Sequence, residues 1–136
     1  MNNFSTSSRL FSRSFTLKIK GHVVDLSKPV VMGILNATPD SFYEGSRIPE
    51  PGFAVEMAGN MFRDGAILID VGAASSRPGA EEISEHEEMD RLWPVVEALR
   101  EAFPEGALSV DTCRSTVAKS MHEHFAIDMV NDISAG

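Results

Sequence analysis

The sequence has little cysteine, few basic residues and no long apolar run. Cys113 is the only cysteine among 136 residues, so no disulfide forms within the chain and a reducing, cytoplasmic setting is expected. No stretch approaches the roughly 20 consecutive apolar residues that a membrane-spanning helix needs. With 12 Lys and Arg against 20 Asp and Glu, the net charge is −8. This charge disfavours nucleic acid as a partner, because its binding relies on clustered Lys and Arg. Small molecules are the expected ligands.

Acidic residues are missing from the start of the chain, where none occurs before Asp25. The first segment is rich in Ser, and we expect residues 1–15 to form a flexible leader, because chain ends are usually poorly ordered. The run TLKIKGHVVDL then predicts two short strands that turn at Gly21 and His22. We therefore expect one folded unit over residues 16–136.

Four apolar, strand-like runs follow: VVMGILN at 30–36, AILIDVG at 66–72, ALSVDT at 107–112 and IDMVND at 127–132. Helix-like periodicity follows the first three, over about 52–64, 84–103 and 115–125. Strands of nearly continuous apolar character that alternate with helices are typical of parallel sheets covered on both faces. The predicted class is α/β, and periodicity leaves open whether the sheet is an open one or an arc of a closed barrel.

The second predicted helix has the clearest local signals. Ser84 and Glu87 have the spacing of a capping box, which predicts a helix start there. Pro94 lies inside the helix and lacks the N–H of an internal hydrogen bond, so we expect either a kink or two abutting helices.

Polar residues end all four strand-like runs. The first ends at Asn36, the second reaches Asp70, the third ends at Asp111, and the fourth ends at Asn131 and Asp132. One such residue is ordinary helix-cap or turn chemistry. Ligands bind at the carboxyl ends of parallel strands, and burying carboxylates and amides without a ligand is costly. The four ends together therefore predict a shared polar pocket.

Several motifs closely resemble the dihydropteroate synthase family: VVMGILNATPDSF at 30–42, GAILIDVGAASSRPGA at 65–80, LSVDT at 108–112 and MVNDISAG at 129–136. The similarity runs from about Lys18 to Gly136. It implies a (β/α)8 barrel, of which the first four strands are present after a short amino-terminal hairpin. It also implies the folate-synthesis reaction that joins 4-aminobenzoate to 6-hydroxymethyl-7,8-dihydropterin diphosphate, giving 7,8-dihydropteroate and diphosphate.

The resemblance also implies roles for individual residues. Asn36 is expected to bind a diphosphate-associated Mg²⁺, and Asp111 and Asn131 to hold the pterin ring. Arg77 and Asp111 are the expected catalytic residues. Residues expected to contact substrate in the loops are Phe42, Ser75, Ser76, Arg77 and Pro78. Ser76 stands where the family usually has Thr, and Gly72-Ala73-Ala74 stands where Gly-Gly-Glu is usual.

A complete barrel of this type takes about 250 residues, so the resemblance implies an amino-terminal half-barrel. Its missing half would supply a lysine, a late arginine and a histidine. We expect the isolated 136-residue chain to be inactive as a monomer and the full-length protein to be a homodimer. Two alternatives stay open: a pterin-binding methyltransferase-type domain, and a half-barrel that binds pterin or a partner chain without turnover.

Overall fold

A computed structural model of the chain describes residues 15–38, 50–74, 79 and 82–134. Within these ranges lie six strands and three helices, labelled in chain order. They are β1 (Thr16–Ile19), β2 (His22–Asp25), β3 (Val31–Asn36), α1 (Pro51–Arg63), β4 (Ala66–Gly72), α2 (Glu85–Ala102), β5 (Leu108–Asp111), α3 (Ser115–Phe125) and β6 (Met129–Asn131). The predicted leader lies outside the described residues, apart from Phe15.

The first two strands form the predicted antiparallel hairpin, with Thr16 opposite Asp25 and Ile19 opposite His22. Its turn lies one residue earlier than predicted, at Lys20 and Gly21, which have φ angles of 50° and 78°. Two consecutive residues with positive φ are typical of a type I′ turn, whose twist matches that of the flanking strands. Ile19 packs with Leu68 and Ala107, so the hairpin covers the amino-terminal end of the main sheet.

The main sheet has four parallel strands in the order β3-β4-β5-β6. Among the described residues, one helix lies between each pair of neighbouring strands: α1 between β3 and β4, α2 between β4 and β5, and α3 between β5 and β6. Three successive βαβ units confirm the predicted α/β class.

Helices pack against one face of this sheet. The side chains of Leu35, Ile69 and Val110 are at most 1% exposed and form a cluster with apolar side chains of all three helices. On the opposite face of β3, Met32 and Ile34 are 38% and 60% exposed. No described element lies over these two side chains, so coverage of both faces is not found for β3 within the described residues, as the expected half-barrel implies.

The second helix begins where predicted and continues past Pro94. Ser84 Oγ accepts a hydrogen bond from the Glu87 backbone N–H at 3.1 Å. Pro94 lies within one uninterrupted helix, which excludes the alternative of two abutting helices, and the alternative of a kink stays a prediction. Leu92 and Val95, which flank Pro94, are fully buried, and this packing holds the helix together across the missing hydrogen bond. None of the described helices is long and apolar enough to cross a membrane.

Arg100, near the end of α2, ties together the chain segments at the amino-terminal end of the sheet. Its Nε donates to the Phe125 carbonyl at 2.9 Å, and its Nη1 donates to the Gly106 carbonyl at 2.8 Å. Its Nη2 donates to the Ala126 carbonyl and pairs with Asp128 at 3.3 Å. Asp128 also accepts from the Leu108 backbone N–H. One guanidinium thus links α2 to the segments that lead into β5 and β6.

We expect Arg100→Met to lower the free energy of unfolding by about 2 to 4 kcal/mol, because it leaves several carbonyls and a carboxylate without their donor. Urea unfolding followed by circular dichroism measures the effect. Lys119→Met is the control: it removes an exposed pair with Glu123, and we expect a change below about 0.5 kcal/mol. Equal losses in the two variants would contradict the structural role of Arg100.

Candidate active site

The carboxyl ends of the four parallel strands lie in one row across the sheet. Asn36 pairs in register with Gly72, Gly72 with Asp111, and Asp111 with Asn131. Residues paired in register across a sheet point to the same face, and neighbouring strands lie about 4.8 Å apart. Three of the predicted site residues, Asn36, Asp111 and Asn131, therefore come together on the face opposite the helices.

Gly72 leaves this row open in the middle. A Cβ atom placed on it would lie 3.4 Å from the Cβ and Oδ2 atoms of Asp111, so a longer side chain at this position would crowd the Asp111 carboxylate. Asn36 and Asp111 are thus separated by a position from which no side chain projects. A flat ligand has room over this part of the row.

A second polar row lies one layer deeper on the same face. Asp70 pairs in register with Ser109, and these residues are 3% and 0% exposed. Asn131 Nδ2 donates a hydrogen bond to Asp70 Oδ2 at 3.0 Å, which connects β4 to β6 across β5. Asp70 Oδ1 and Ser109 Oγ are buried and have no hydrogen-bond partner among the described residues.

The sequence alone assigns no role to Asp70, and Ser109 is not among the predicted site residues. The available signal was a charged residue inside the otherwise apolar run AILIDVG. Asp132, the other residue of open role, lies beyond the end of β6 and accepts hydrogen bonds from the backbone N–H and hydroxyl of Ser134. It therefore belongs to the turn after the strand and not to the row.

Negative charge and burial raise the pKa of Asp111. Its desolvation is the largest cause, followed by the nearby carboxylates of Asp70, Glu88 and Asp132. Each of these causes disfavours the charged form of the carboxyl group. A positively polarised ligand, such as the N–H edge of a guanidine-like heterocycle, would offset this repulsion.

One of these acids, Glu88, is paired. It is 2% exposed on the first turn of α2 and forms a hydrogen-bonded ion pair with Arg114. This bond is the main cause of the raised pKa of Arg114. Arg114 also donates to the Ile83 carbonyl at 2.7 Å, and Arg91 donates to the Ala73 carbonyl at 3.1 Å. The two arginines hold the backbone on both sides of the loop between β4 and α2.

Asn36 is exposed at the rim of the sheet. No group of three or more His, Cys, Asp or Glu side chains suited to a metal ion occurs in the part of the chain that the structure describes. A single amide oxygen fits Mg²⁺ where the ion is bound chiefly through substrate phosphates and water, as is common for this metal. The predicted loop residues Phe42, Ser75, Ser76, Arg77 and Pro78 lie outside the described residues, and their roles stay predictions.

The chain matches the family model described as pterin binding enzyme over residues 32–136. It therefore belongs to the pterin-binding enzyme family. Its similar relatives include the dihydropteroate synthase of Escherichia coli, which is 46% identical over 114 residues, 84% of this chain and 40% of that relative. The resemblance to dihydropteroate synthase is confirmed.

Solved structures show the same likeness. The dihydropteroate synthase of Yersinia pestis, in a sulfonamide drug complex, has 47% sequence identity and a TM-score of 0.75 over 88% of this chain and 42% of that chain. The Xanthomonas albilineans enzyme with 4-aminobenzoic acid has 37% identity and a TM-score of 0.74, covering 88% of this chain and 43% of that one. The chain thus spans less than half the length of these relatives, and its four-stranded parallel sheet corresponds to part of a (β/α)8 barrel such as theirs.

We expect Asp111→Asn to raise the free energy of unfolding at pH 7. The pKa of Asp111 is raised above its unfolded value of 3.8, so the folded chain binds the carboxyl proton more tightly than the unfolded chain does. The ionised Asp111 side chain therefore destabilises the fold. The gain is at most about 1 kcal/mol for a partly exposed group. It is largest above the raised pKa and disappears below the unfolded value.

Urea unfolding of wild type and Asp111→Asn measures this pH dependence. It is carried out at about six pH values, from about pH 3.5 to about pH 7, which span the titration range of Asp. Asp90→Asn is the matched control, because Asp90 is 64% exposed on α2 and pairs only weakly with His86. A difference between wild type and Asp111→Asn that does not change with pH would contradict the assignment.

Proposed function

We propose that the chain provides the pterin-binding half of a dihydropteroate synthase. The reaction joins 4-aminobenzoate to 6-hydroxymethyl-7,8-dihydropterin diphosphate and releases diphosphate. The observation that carries the proposal is the in-register row of Asn36, Gly72, Asp111 and Asn131. The family match and the solved relative with 4-aminobenzoic acid support it.

Pterin recognition is the task of Asp111 and Asn131 in this proposal. A dihydropterin presents adjacent N–H donors beside a carbonyl. A carboxylate accepts two such hydrogen bonds, and an amide both donates and accepts. The two side chains are direct neighbours in register, as recognition of one flat ring by both requires. Ionised Asp111 is the form that accepts both bonds, so affinity is expected to fall as the pH drops through its raised pKa.

The diphosphate is expected to lie at the Asn36 end of the row. Asn36 would hold a Mg²⁺ ion there, and that ion, when bound, would neutralise charge on the leaving group. Arg77 is the proposed cation of the loop, since its five-donor guanidinium suits a phosphate or carboxylate. Phe42, Ser75, Ser76 and Pro78 are proposed to shape the aminobenzoate site.

The proposed chemistry is displacement at the pterin methylene. The C–O bond to diphosphate breaks, largely before the C–N bond to the aromatic amine forms, and the amine then releases a proton. An aromatic amine is neutral at pH 7, so no protein base is needed to activate it. The side chains of the row bind and orient the ring, and loop residues exclude water that would capture the cationic pterin.

This chain covers 40% of the Escherichia coli relative. We propose that the isolated 136-residue chain does not turn over as a monomer, that the complete protein is a cytoplasmic homodimer, and that it needs no nucleic acid or membrane partner. A methyltransferase of similar fold is not favoured, because the solved relatives are dihydropteroate synthases.

A chimera tests the proposed function. This chain replaces the matching segment of the Escherichia coli dihydropteroate synthase, and diphosphate release is measured with both substrates and Mg²⁺. We expect turnover that requires 4-aminobenzoate. An inactive but folded chimera that still binds 6-hydroxymethylpterin would instead favour the binding module without turnover, and one that binds no pterin would contradict the proposal.

In that chimera, Asp111→Ala is expected to lower kcat/KM by about 100-fold or more, because two charge-assisted hydrogen bonds to the ring are lost. Asp90→Ala, which removes an exposed carboxylate on α2, serves as the charge-matched control and is expected to leave kcat/KM within about twofold. Similar losses in both variants would show that Asp111 has no special part in the reaction.

A further inference from the structure

Asp70 is a buried carboxylate that the proposed reaction does not use directly. It lies inside β4, between Ile69 and Val71, which are fully buried. Its one hydrogen bond from a described side chain comes from Asn131 Nδ2, and its Oδ1 atom is buried without a partner among the described residues. Burying a charged group with incomplete hydrogen bonding destabilises a fold. Fold stability therefore does not explain an aspartate at this position.

The hydrogen bond determines how Asn131 presents its amide. An asparagine amide has two orientations related by a flip, and these exchange its donor and acceptor groups. An ionised carboxylate only accepts, so Asp70 attracts Nδ2 and repels Oδ1. The flipped orientation is disfavoured twice, by the lost charge-assisted bond and by the repulsion between two oxygens. Asn131 Oδ1 is thereby left available as an acceptor.

We infer that Asp70 is a positioning residue that fixes the side-chain amide of Asn131, so that the site selects heterocycles with a hydrogen-bond donor at the edge that faces Oδ1. The inference rests on the proposed function and deepens it. Asp70 acts through Asn131 across β5: it lies in the deeper row, in register with Ser109, and accepts the hydrogen bond from the Asn131 amide at the strand ends.

Ser109 offers a matched control for this inference. It pairs in register with Asp70, it is fully buried, and its Oγ atom has no hydrogen-bond partner among the described residues. Ser109→Ala therefore removes a buried polar atom from the same row and leaves the bond between Asp70 and Asn131 in place. A general disturbance of the deeper row would affect variants at Asp70 and Ser109 alike, whereas loss of amide positioning would affect only those at Asp70.

The first measurement is made without ligand, on the 136-residue chain. The Asn131 side-chain NH2 signals are assigned in ¹⁵N–¹H spectra by their loss in Asn131→Ala. We expect them to move toward the position of a solvated amide in Asp70→Leu and to stay in place in Ser109→Ala. Unchanged signals in Asp70→Leu would overturn the inference, whatever the outcome for the reaction.

The second measurement is the Kd for 6-hydroxymethylpterin by calorimetry, in the chimera described above. Asp70→Leu is expected to weaken binding about 10-fold, because the Asn131 amide then adopts orientations that do not present Oδ1 to the ring and binding must select one that does. Ser109→Ala is expected to stay within about twofold, and the KM for 4-aminobenzoate is expected to be unchanged in both. Equal losses of pterin affinity in the two variants would overturn the inference.

Asp70→Asn keeps an acceptor oxygen for Asn131 and removes the charge, so it serves where Asp70→Leu does not fold. We expect its pterin affinity at pH 7 to lie between those of wild type and Asp70→Leu, because its own NH2 group can donate to Asn131 Oδ1 and so permits the flipped amide. In this variant, the pH below which pterin binding weakens is expected to be lower. The Asp70 charge, which helps to raise the pKa of Asp111, is then absent, while the charges of Glu88 and Asp132 remain. If the Asn131 NH2 signals depend on Asp70 but the wild-type protein binds no pterin, the result would contradict the proposed function and support the positioning role of Asp70.

Discussion

In-register pairing of the four parallel strands is the constraint on which the site depends. Asn36, Asp111 and Asn131 come from distant parts of the chain and share one row because each strand aligns with its neighbour at the same level. A slip of one residue in any strand would turn its side chains to the helix-covered face. The buried residues of that face, such as Leu35 and Val110, oppose such a slip because they would have to leave the core.

The two ends of the sheet have different roles: one stabilises the fold and the other is suited to ligand binding. At the amino-terminal end, Arg100 and the hairpin join segments through hydrogen bonds and apolar contacts. At the carboxyl end, Asp70 and Asp111 place like charges in a partly desolvated region. That arrangement disfavours the folded state and is suited to a ligand that brings N–H donors. The division agrees with the general location of active sites in (β/α)8 barrels.

Most of the architecture could be predicted from local patterns. The apolar runs indicated the four strands, the spacing of Ser84 and Glu87 indicated the start of α2, and the polar strand ends indicated the pocket. The sequence left two outcomes open at Pro94, and the continuous helix, in which Leu92 and Val95 are buried, excludes the one with two abutting segments. The apolar composition of β3 predicted coverage of both faces, whereas the half-barrel implied the exposure that Met32 and Ile34 show, since burial depends on which elements lie over a strand and not on its own composition.

Residue types, periodicity and motif order account for the α/β class, the family and three polar residues of the row. Local chemistry is sufficient for these features, because strand propensity, capping and strand-end polarity are properties of short segments. The bond between Asp70 and Asn131, the pairing of Glu88 with Arg114 and the raised pKa of Asp111 depend on the folded sheet. These features join residues of different strands and helices, and their distances and desolvation exist only after the strands have paired.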